Sequence, residues 1–370
     1  HPKPDFKETY GMVTVGFGAA NTVFKTKKQT EFVTYPTGIA HFLEHKLFEM
    51  ENARDVLQEF SKLGADANAY TSFYQTSYLF STAAEVLPSL ALLQEFLRDV
   101  SFTEESVERE KAIIAQEIEM YQDEPDSRLY NEILASLYPG SPLQDDIAGN
   151  VASIQDITVQ SLKENFEAFY HPQNMTLFLV GNFELEDVWK GIQEQQATYL
   201  YQPVLVEHQP LANNPVLPHG TSQMEVASPK LAIGVRGNGQ LEVTSLYRFR
   251  LSLSLLFSML FGWTSMRHRD LYEQGKIDSS FSFHLEVRPT YHFLVLTMDT
   301  KEPVALSSTL RKAIQQFASD PDVSEEHLEI VKKKTYGDFI ASLNSLEYTA
   351  SYFMQHLSDE ENVFDLPAII

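Results

Sequence analysis

The feature that most constrains the fold of this chain is an internal repeat. Leu63–Ser72 and Gln274–Phe283 each follow an amphipathic helix pattern, contain a glycine near their start and lead into a strand pattern. A second strand, a helix, an acidic helix start and a long helix follow in both halves. The matching segments are Ser77–Thr82 and Tyr291–Thr297, Glu85–Val100 and Glu302–Ala318, and Val107–Tyr121 and Leu328–Leu343. Because one order of elements occurs twice, the sequence predicts two homologous domains.

The boundary between the two halves is marked by proline. Gln196–Ser222 contains four prolines without a clear period, which is typical of a linker. We therefore predict a first domain at 1–195, a linker at 196–222 and a homologous second domain at 223–370. Since strands and helices alternate in mixed order, we predict an α+β fold in which each half is a mixed, mostly antiparallel sheet with helices packed on one face. The chain begins at His1 rather than Met, so we expect that its native N-terminus is missing.

Composition narrows the class of protein. The formal net charge is −23, which argues against nucleic acid as a partner and is also what solubility alone favours. The sequence has no run of eighteen apolar residues, so we predict no membrane span. Cysteine is absent, which excludes disulfides and thiolate metal ligands and fits a reducing cytoplasm. We therefore expect a bacterial-type cytoplasmic protein.

The pentapeptide His41–His45 reads H-x-x-E-H, the reverse of the H-E-x-x-H zinc signature. Two histidines four residues apart share one face of a helix and can hold one Zn²⁺ through their ring nitrogens. Glu44 can then take a proton from a water molecule that the metal activates. The alternatives are a chance match or two ordinary polar-face histidines. The surrounding Phe42, Leu43 and Leu47 make the helix largely apolar, and buried histidines need partners such as a metal.

A third ligand is expected, because catalytic zinc usually has three protein ligands. The strong helix former around Val107–Met120 carries Glu110 and Glu117, which are two turns apart and share a face. They lie beside an apolar stripe of Ile113, Ile114 and Ile118, whereas Glu108, Lys111 and Glu119 are predicted to face solvent. An ordinary charged surface helix, with pairs such as Glu108 and Lys111, fits the same spacing.

Together these motifs resemble the pitrilysin family of inverted zincins, which includes insulysin and the mitochondrial processing peptidases. The resemblance is carried by His41–His45, by Asn68–Ser72 and by Glu110-x6-Glu117, and it extends over nearly the whole chain. The chain is most similar to the bacterial two-subunit members, whose metal-bearing subunit has about this length. The resemblance implies a zinc-dependent endopeptidase that acts on peptides or unfolded segments.

The family pattern also implies roles for individual residues. By this resemblance His41, His45 and Glu117 are the zinc ligands, and Glu44 is the general base. The domain at 1–195 is then the metal-bearing peptidase domain, and the homologous domain at 223–370 lacks metal ligands. Glu110 is the carboxylate that hydrogen-bonds a ligand histidine and orients it. Asn68 and Ala69 lie where the family's edge strand accepts the substrate peptide as an added strand.

The sequence departs from the family in its second half. Many members carry an Arg and a Tyr seven residues apart around the position of Gly275, and this chain has Leu271-Tyr272 and Ile277-Asp278 there. Arg267 and Arg269 are close by, but no Tyr follows at the right spacing. In the two-subunit members the second chain supplies that pair. We therefore expect a heterodimer with a homologous metal-free partner, or otherwise a homodimer.

Two other functions fit parts of the sequence. The fold also occurs in non-catalytic core subunits of respiratory complexes, and the motif could serve a metal-binding or peptide-binding module without turnover. The complete His41–His45 motif and Glu117 favour the peptidase, because an assembly subunit does not need them.

Overall fold

The computed structural model describes residues 1–50, 54–98, 100–199, 201–202, 204–238, 241–357 and 361–370. The strands are β1 Thr9–Val15, β2 Val23–Thr26, β3 Val33–Thr34, β4 Ala65–Thr71, β5 Thr76–Thr82, β6 Met175–Gly181, β7 Val206–His208, β8 Lys230–Arg236, β9 Ser282–Val287 and β10 His292–Asp299. The helices are α1 Ile39–Leu47, α2 Val56–Lys62, α3 Val86–Phe96, α4 Glu104–Gln122, α5 Pro125–Leu137, α6 Val151–Gln155, α7 Val159–Phe169, α8 Leu185–Ala197, α9 Leu246–Phe261, α10 Met266–Glu273, α11 Pro303–Gln315, α12 Glu325–Ser342, α13 Leu346–Met354 and α14 Leu366–Ile369.

The chain divides into two compact units. Unit 1 comprises His1–Tyr121, Asp145–Leu211 and Ser345–Met354, and unit 2 comprises Gln122–Gln144, Ala212–Asn344 and Gln355–Ile370. Each unit thus contains one helical segment from the other half of the sequence, α13 in unit 1 and α5 in unit 2. These units cross the sequence-derived bounds of 1–195 and 223–370, which remain a prediction about domain boundaries.

In unit 1, the described residues form an antiparallel sheet in the order β4-β5-β1-β6. β1 is buried at all seven positions, so both of its faces need cover. Val13 and Val15 face a large core that includes residues of α1 and α3, and Tyr10 and Met12 face a second core that includes residues of α13. The sequence predicted helices on one face of the sheet. In the structure, α13 also covers the other face.

A smaller sheet in unit 1 has the order β3-β2-β7. β7 lies within the predicted linker, where Phe24 of β2 pairs with His208 of β7. The part of the predicted linker that forms β7 therefore belongs to unit 1. Residues 200 and 203 of the predicted linker lie outside the described residues.

In unit 2, the described strands form an antiparallel sheet in the order β8-β10-β9. Its element order, α9-α10-β9-β10-α11-α12, repeats α1-α2-β4-β5-α3-α4 of unit 1. Gly64 and Gly275 precede the matching strands with almost the same left-handed backbone, at φ of 66° and 65°. The fold class predicted from the sequence is confirmed, with α+β architecture and antiparallel sheets in both units.

Candidate metal centre

Helix α1 presents the two histidines of the pentapeptide. Its other side is anchored in the unit 1 core through Phe42 and Leu43, which have no exposed surface. The imidazole rings of His41 and His45 lie 4.6 Å apart between centroids. As the spacing predicted, both rings project from the same side of the helix.

The start of α1 depends on Gly38, which precedes the helix with φ of 89°. A Cβ at this position would lie 2.4 Å from the backbone oxygen of Ala148.

We expect Gly38→Ala to lower the free energy of unfolding by at least about 2 kcal/mol, because a side chain is strained at this φ and collides with backbone. Gly64→Ala is the matched control, since its φ is also positive but a Cβ there has no neighbour within 4 Å. Urea denaturation compares the two, and equal losses would show that the contact with Ala148 is unimportant.

Helix α4 brings Glu117 to the histidines. Ile114 and Ile118 are buried and fix the rotation of the helix. Glu117 Oε2 lies 3.8 Å from His41 Nε2 and 3.4 Å from His45 Nε2. The three side chains are the one group of metal-ligand type found among the described residues, with ligand atoms within 4.8 Å of one another.

These separations fit a tetrahedral metal. Ligand atoms bound to zinc at about 2.0–2.1 Å stand roughly 3.3 Å apart, close to the distances from Glu117 to the two Nε2 atoms. Two imidazole nitrogens and one carboxylate oxygen are also a donor set that zinc takes in catalytic sites. The residues present therefore fit a zinc ion held by His41, His45 and Glu117.

Glu110 controls the ring of His45. The His45 Nδ1–H donates to Glu110 Oε1 at 3.0 Å. In the neutral ring the lone pair is therefore on Nε2, which lies 3.4 Å from Glu117 Oε2. Burial opposes a charge on His45, but the hydrogen bond to Glu110 and the neighbouring carboxylates outweigh it and raise the pKa of the imidazole. When the His45 ring is neutral, this hydrogen bond favours the tautomer whose Nε2 is free to bind a metal.

His41 is held as a neutral ring. Burial, helped by the neighbouring His45, lowers the pKa of His41 to about 3. Its Nδ1 is buried and has no hydrogen-bond partner in the described part of the chain. A neutral imidazole is the form that binds a metal, so this electrostatic environment favours His41 as a ligand.

Glu44 lies on the same helix, next to His45, and is 8% exposed. Its Oε2 accepts a hydrogen bond of 2.5 Å from the Thr71 hydroxyl. Burial raises the pKa of the Glu44 carboxyl, and the Glu117 carboxylate adds to that effect against the opposing influence of Thr71 and His45. The role of Thr71 was not predicted from the sequence, although Thr71 lies within the Asn68–Ser72 motif that predicted a strand.

Asn68 and Ala69 lie on β4, the outer strand of the four-stranded sheet. Asn68 is exposed, and its Oδ1 accepts a hydrogen bond of 2.9 Å from the Ala69 N–H. That N–H is therefore paired with a side chain rather than with a neighbouring strand. Peptide binding at this strand remains a prediction, and it requires the Asn68 side chain to give up this bond.

A prediction follows for Glu110. We expect Glu110→Ala to weaken zinc binding roughly 10- to 100-fold, because the His45 ring loses the acceptor that fixes its tautomer. Glu119→Ala, an exposed change on the same helix, should leave the affinity unchanged. A competition titration against a chromophoric chelator measures both, and an unaltered affinity for Glu110→Ala would contradict this role.

The fold and the site together define a class of protein, the inverted zincins with two related α+β units. Comparison with known proteins gives the same class. The family described as "Insulinase (Peptidase family M16)" matches residues 33–151, and "Peptidase M16 inactive domain" matches residues 156–335. The chain is 38% identical over 373 aligned residues to the "Uncharacterized zinc protease YmfH" of Bacillus subtilis strain 168, covering 100% of this chain and 86% of that protein. This chain belongs to peptidase family M16, so the resemblance read from the sequence is confirmed.

Solved structures agree with this assignment. A crystal structure from Alicyclobacillus acidocaldarius, described as M16-like, has a TM-score of 0.93 and 30% identity, covering 100% of this chain and 88% of that one. A protease from Helicobacter pylori has a TM-score of 0.81 at 19% identity, covering 100% and 89%, and shows the shared fold alone. Among the described residues, no helix combines the length and the apolar character needed to cross a bilayer.

Proposed function

We propose that this chain is the metal-bearing subunit of a zinc-dependent endopeptidase that hydrolyses peptides or unfolded segments. The observation that carries the proposal is that ligand atoms of His41, His45 and Glu117 lie within 4.8 Å of one another, with Glu44 directly before His45 in α1. A purely structural subunit has no need of that arrangement. The zinc protease name of its Bacillus relative supports the same function.

The proposed chemistry uses the chain's own residues around the bound ion. Zinc supplies Lewis acidity, which makes a water molecule more acidic and polarises the scissile carbonyl. Glu44 accepts the proton as the water oxygen bonds to the carbonyl carbon, and returns it to the amine nitrogen as the C–N bond breaks.

The proposed substrate lies along β4. An extended peptide can pair with an outer strand through main-chain hydrogen bonds, which favour unfolded segments and demand little of the peptide's sequence. Asn68 and Ala69 are the residues we assign to this contact. A folded protein cannot offer such a strand, so substrates should be flexible.

We also propose that activity needs a homologous partner. The residues around Gly275 do not include the family's Arg and Tyr pair. Of the nearby arginines, Arg267 is committed elsewhere, since its guanidinium pairs with Asp320 and the Leu260 carbonyl. A partner chain would supply the missing donors to the oxyanion. A cytoplasmic location is proposed for the same assembly.

The test is hydrolysis of a quenched fluorescent unstructured peptide by the chain with and without its co-purified partner. We expect zinc-dependent cleavage with the partner, loss on chelation and recovery on adding zinc. The absence of cleavage under all of these conditions would favour the non-catalytic alternative, an assembly or peptide-binding subunit. Full activity of the isolated chain would contradict only the partner.

A further inference from the structure

The carboxylate of Glu44 is held from outside its own helix. Thr71, the last residue of β4, donates its hydroxyl proton to Glu44 Oε2 at 2.5 Å. Among the described residues, Thr71 is the one whose side chain donates a hydrogen bond to the Glu44 carboxylate. A hydrogen bond from a hydroxyl to a buried carboxylate is among the stronger ones in proteins.

A buried hydroxyl group lies next to Thr71 on the neighbouring strand β5. Thr71 pairs in register with Thr76 of β5, and their hydroxyl oxygens lie 3.4 Å apart. Thr76 is fully buried and donates to the Phe17 carbonyl at 2.9 Å. The Tyr78 and Tyr170 hydroxyls, also buried, lie 2.8 Å from each other.

This arrangement fixes the direction of the Thr71 hydroxyl. A hydroxyl has one proton to give, and an ionised carboxylate can only accept. Since Thr76 gives its proton to Phe17, Thr71 gives its own to Glu44. The Thr71 hydroxyl proton is therefore directed at Oε2 of the Glu44 carboxylate.

We propose that Thr71 is a positioning residue that holds the Glu44 carboxylate in the orientation needed for proton transfer. The inference rests on the proposed function, in which Glu44 is the base. Without this bond, the glutamate can rotate about its side-chain torsions and leave its present place. A displacement of about 1 Å at a catalytic group costs on the order of 100-fold in rate.

The strand that holds Glu44 is also the strand assigned to the peptide. Thr71 lies two residues after Ala69, so both side chains face the same side of β4. The position of β4 therefore determines both where the peptide would bind and how the Glu44 carboxylate is oriented. The peptide would bind to main-chain groups of β4, whereas Glu44 is held by the Thr71 side chain. A substitution that removes only the Thr71 hydroxyl should therefore affect the chemical step rather than peptide binding.

The test compares Thr71→Val, which keeps the shape and removes the donor, with Thr71→Ser, which keeps the donor. Thr14→Val is the matched control. Thr14 is a buried threonine of the same sheet, its hydroxyl lies 2.8 Å from that of Ser77, and this pair faces the side opposite Thr76. All variants are assayed in the active assembly. For Thr71→Val we expect a 10- to 100-fold lower kcat, KM within about twofold and full zinc content, which is the scale of a lost hydrogen bond to a charged group.

Thr71→Ser should retain kcat within about threefold, and Thr14→Val should lower the melting temperature as much as Thr71→Val without lowering kcat. The proposal is overturned if Thr71→Val keeps the wild-type kcat, or if Thr71→Ser is equally impaired. Crystal structures of the zinc-loaded variants give a readout independent of activity. Glu44 should be displaced in Thr71→Val and unmoved in Thr71→Ser, even if the wild type proves inactive and the proposed function fails.

Discussion

Replacing Glu44 with Gln should abolish peptide hydrolysis while the protein keeps its zinc. The amide has nearly the shape of the carboxylate and can still accept the Thr71 hydrogen bond, but it cannot take up a proton. General bases contribute roughly 100- to 10,000-fold to rate, so we expect a fall of that size in kcat. Steady-state cleavage of an unstructured peptide, with zinc measured by elemental analysis on the same sample, checks both halves of the prediction.

The matched control for this change is Glu105→Gln, an exposed glutamate at the start of α4. It should cleave the peptide at the wild-type rate. If Glu44→Gln also retains activity, Glu44 is not the base. If the variant loses zinc together with activity, its role is to maintain the centre rather than to transfer a proton.

The second large effect is expected at Glu117. Glu117→Gln replaces the anionic oxygen that we assign to the metal, 3.4 Å from His45 Nε2 and 3.8 Å from His41 Nε2, with a weakly donating amide. We expect zinc affinity to fall by more than about 100-fold, since even the loss of a group that only supports a ligand costs roughly 10- to 100-fold. Peptide cleavage should fall in parallel and recover partly at high zinc concentration. Isothermal titration or chelator competition measures the affinity.

Glu119→Gln is the control, because this glutamate lies two residues further along α4 and is exposed. Its zinc affinity should equal that of the wild type. An unchanged affinity in Glu117→Gln would mean that the third ligand comes from another residue, and the assignment from helix spacing would then be wrong.

Local patterns were sufficient to predict the elements that form the centre. The four-residue spacing of His41 and His45 put both rings on one side of α1, and the seven-residue spacing of Glu110 and Glu117 put both carboxylates on one side of α4. Nothing in those spacings joins the two helices. The resemblance to a family supplied that link, and the distances to Glu117 agree with it.

The details of α4 were less predictable. Ile113 was assigned to the apolar stripe but is 48% exposed, whereas Lys111 was assigned to solvent but is 7% exposed. Lys111 is buried because its ammonium donates to both Glu108 and the Gln155 carbonyl. A single helix pattern cannot show that a distant carbonyl is available to satisfy a buried charge.

Long-range packing was also beyond the sequence. Tyr10 and Met12 of β1 contact a core that includes Ala350 and Met354 of α13, more than three hundred residues later. Each pattern predicted its own strand or helix, but neither could indicate that α13 belongs to unit 1. The same limit applies to Thr71, whose hydrogen bond to Glu44 joins residues on two different elements.

We predict that His41, His45 and Glu117 together hold one zinc ion. The most direct measurement is anomalous diffraction from crystals of the zinc-loaded protein, collected on both sides of the zinc absorption edge. If these three residues hold the ion, one strong peak will lie within about 2.0–2.2 Å of both Nε2 atoms and of a Glu117 carboxylate oxygen. A peak at other residues, or no peak in a zinc-saturated crystal, would show that the ligands have been assigned wrongly.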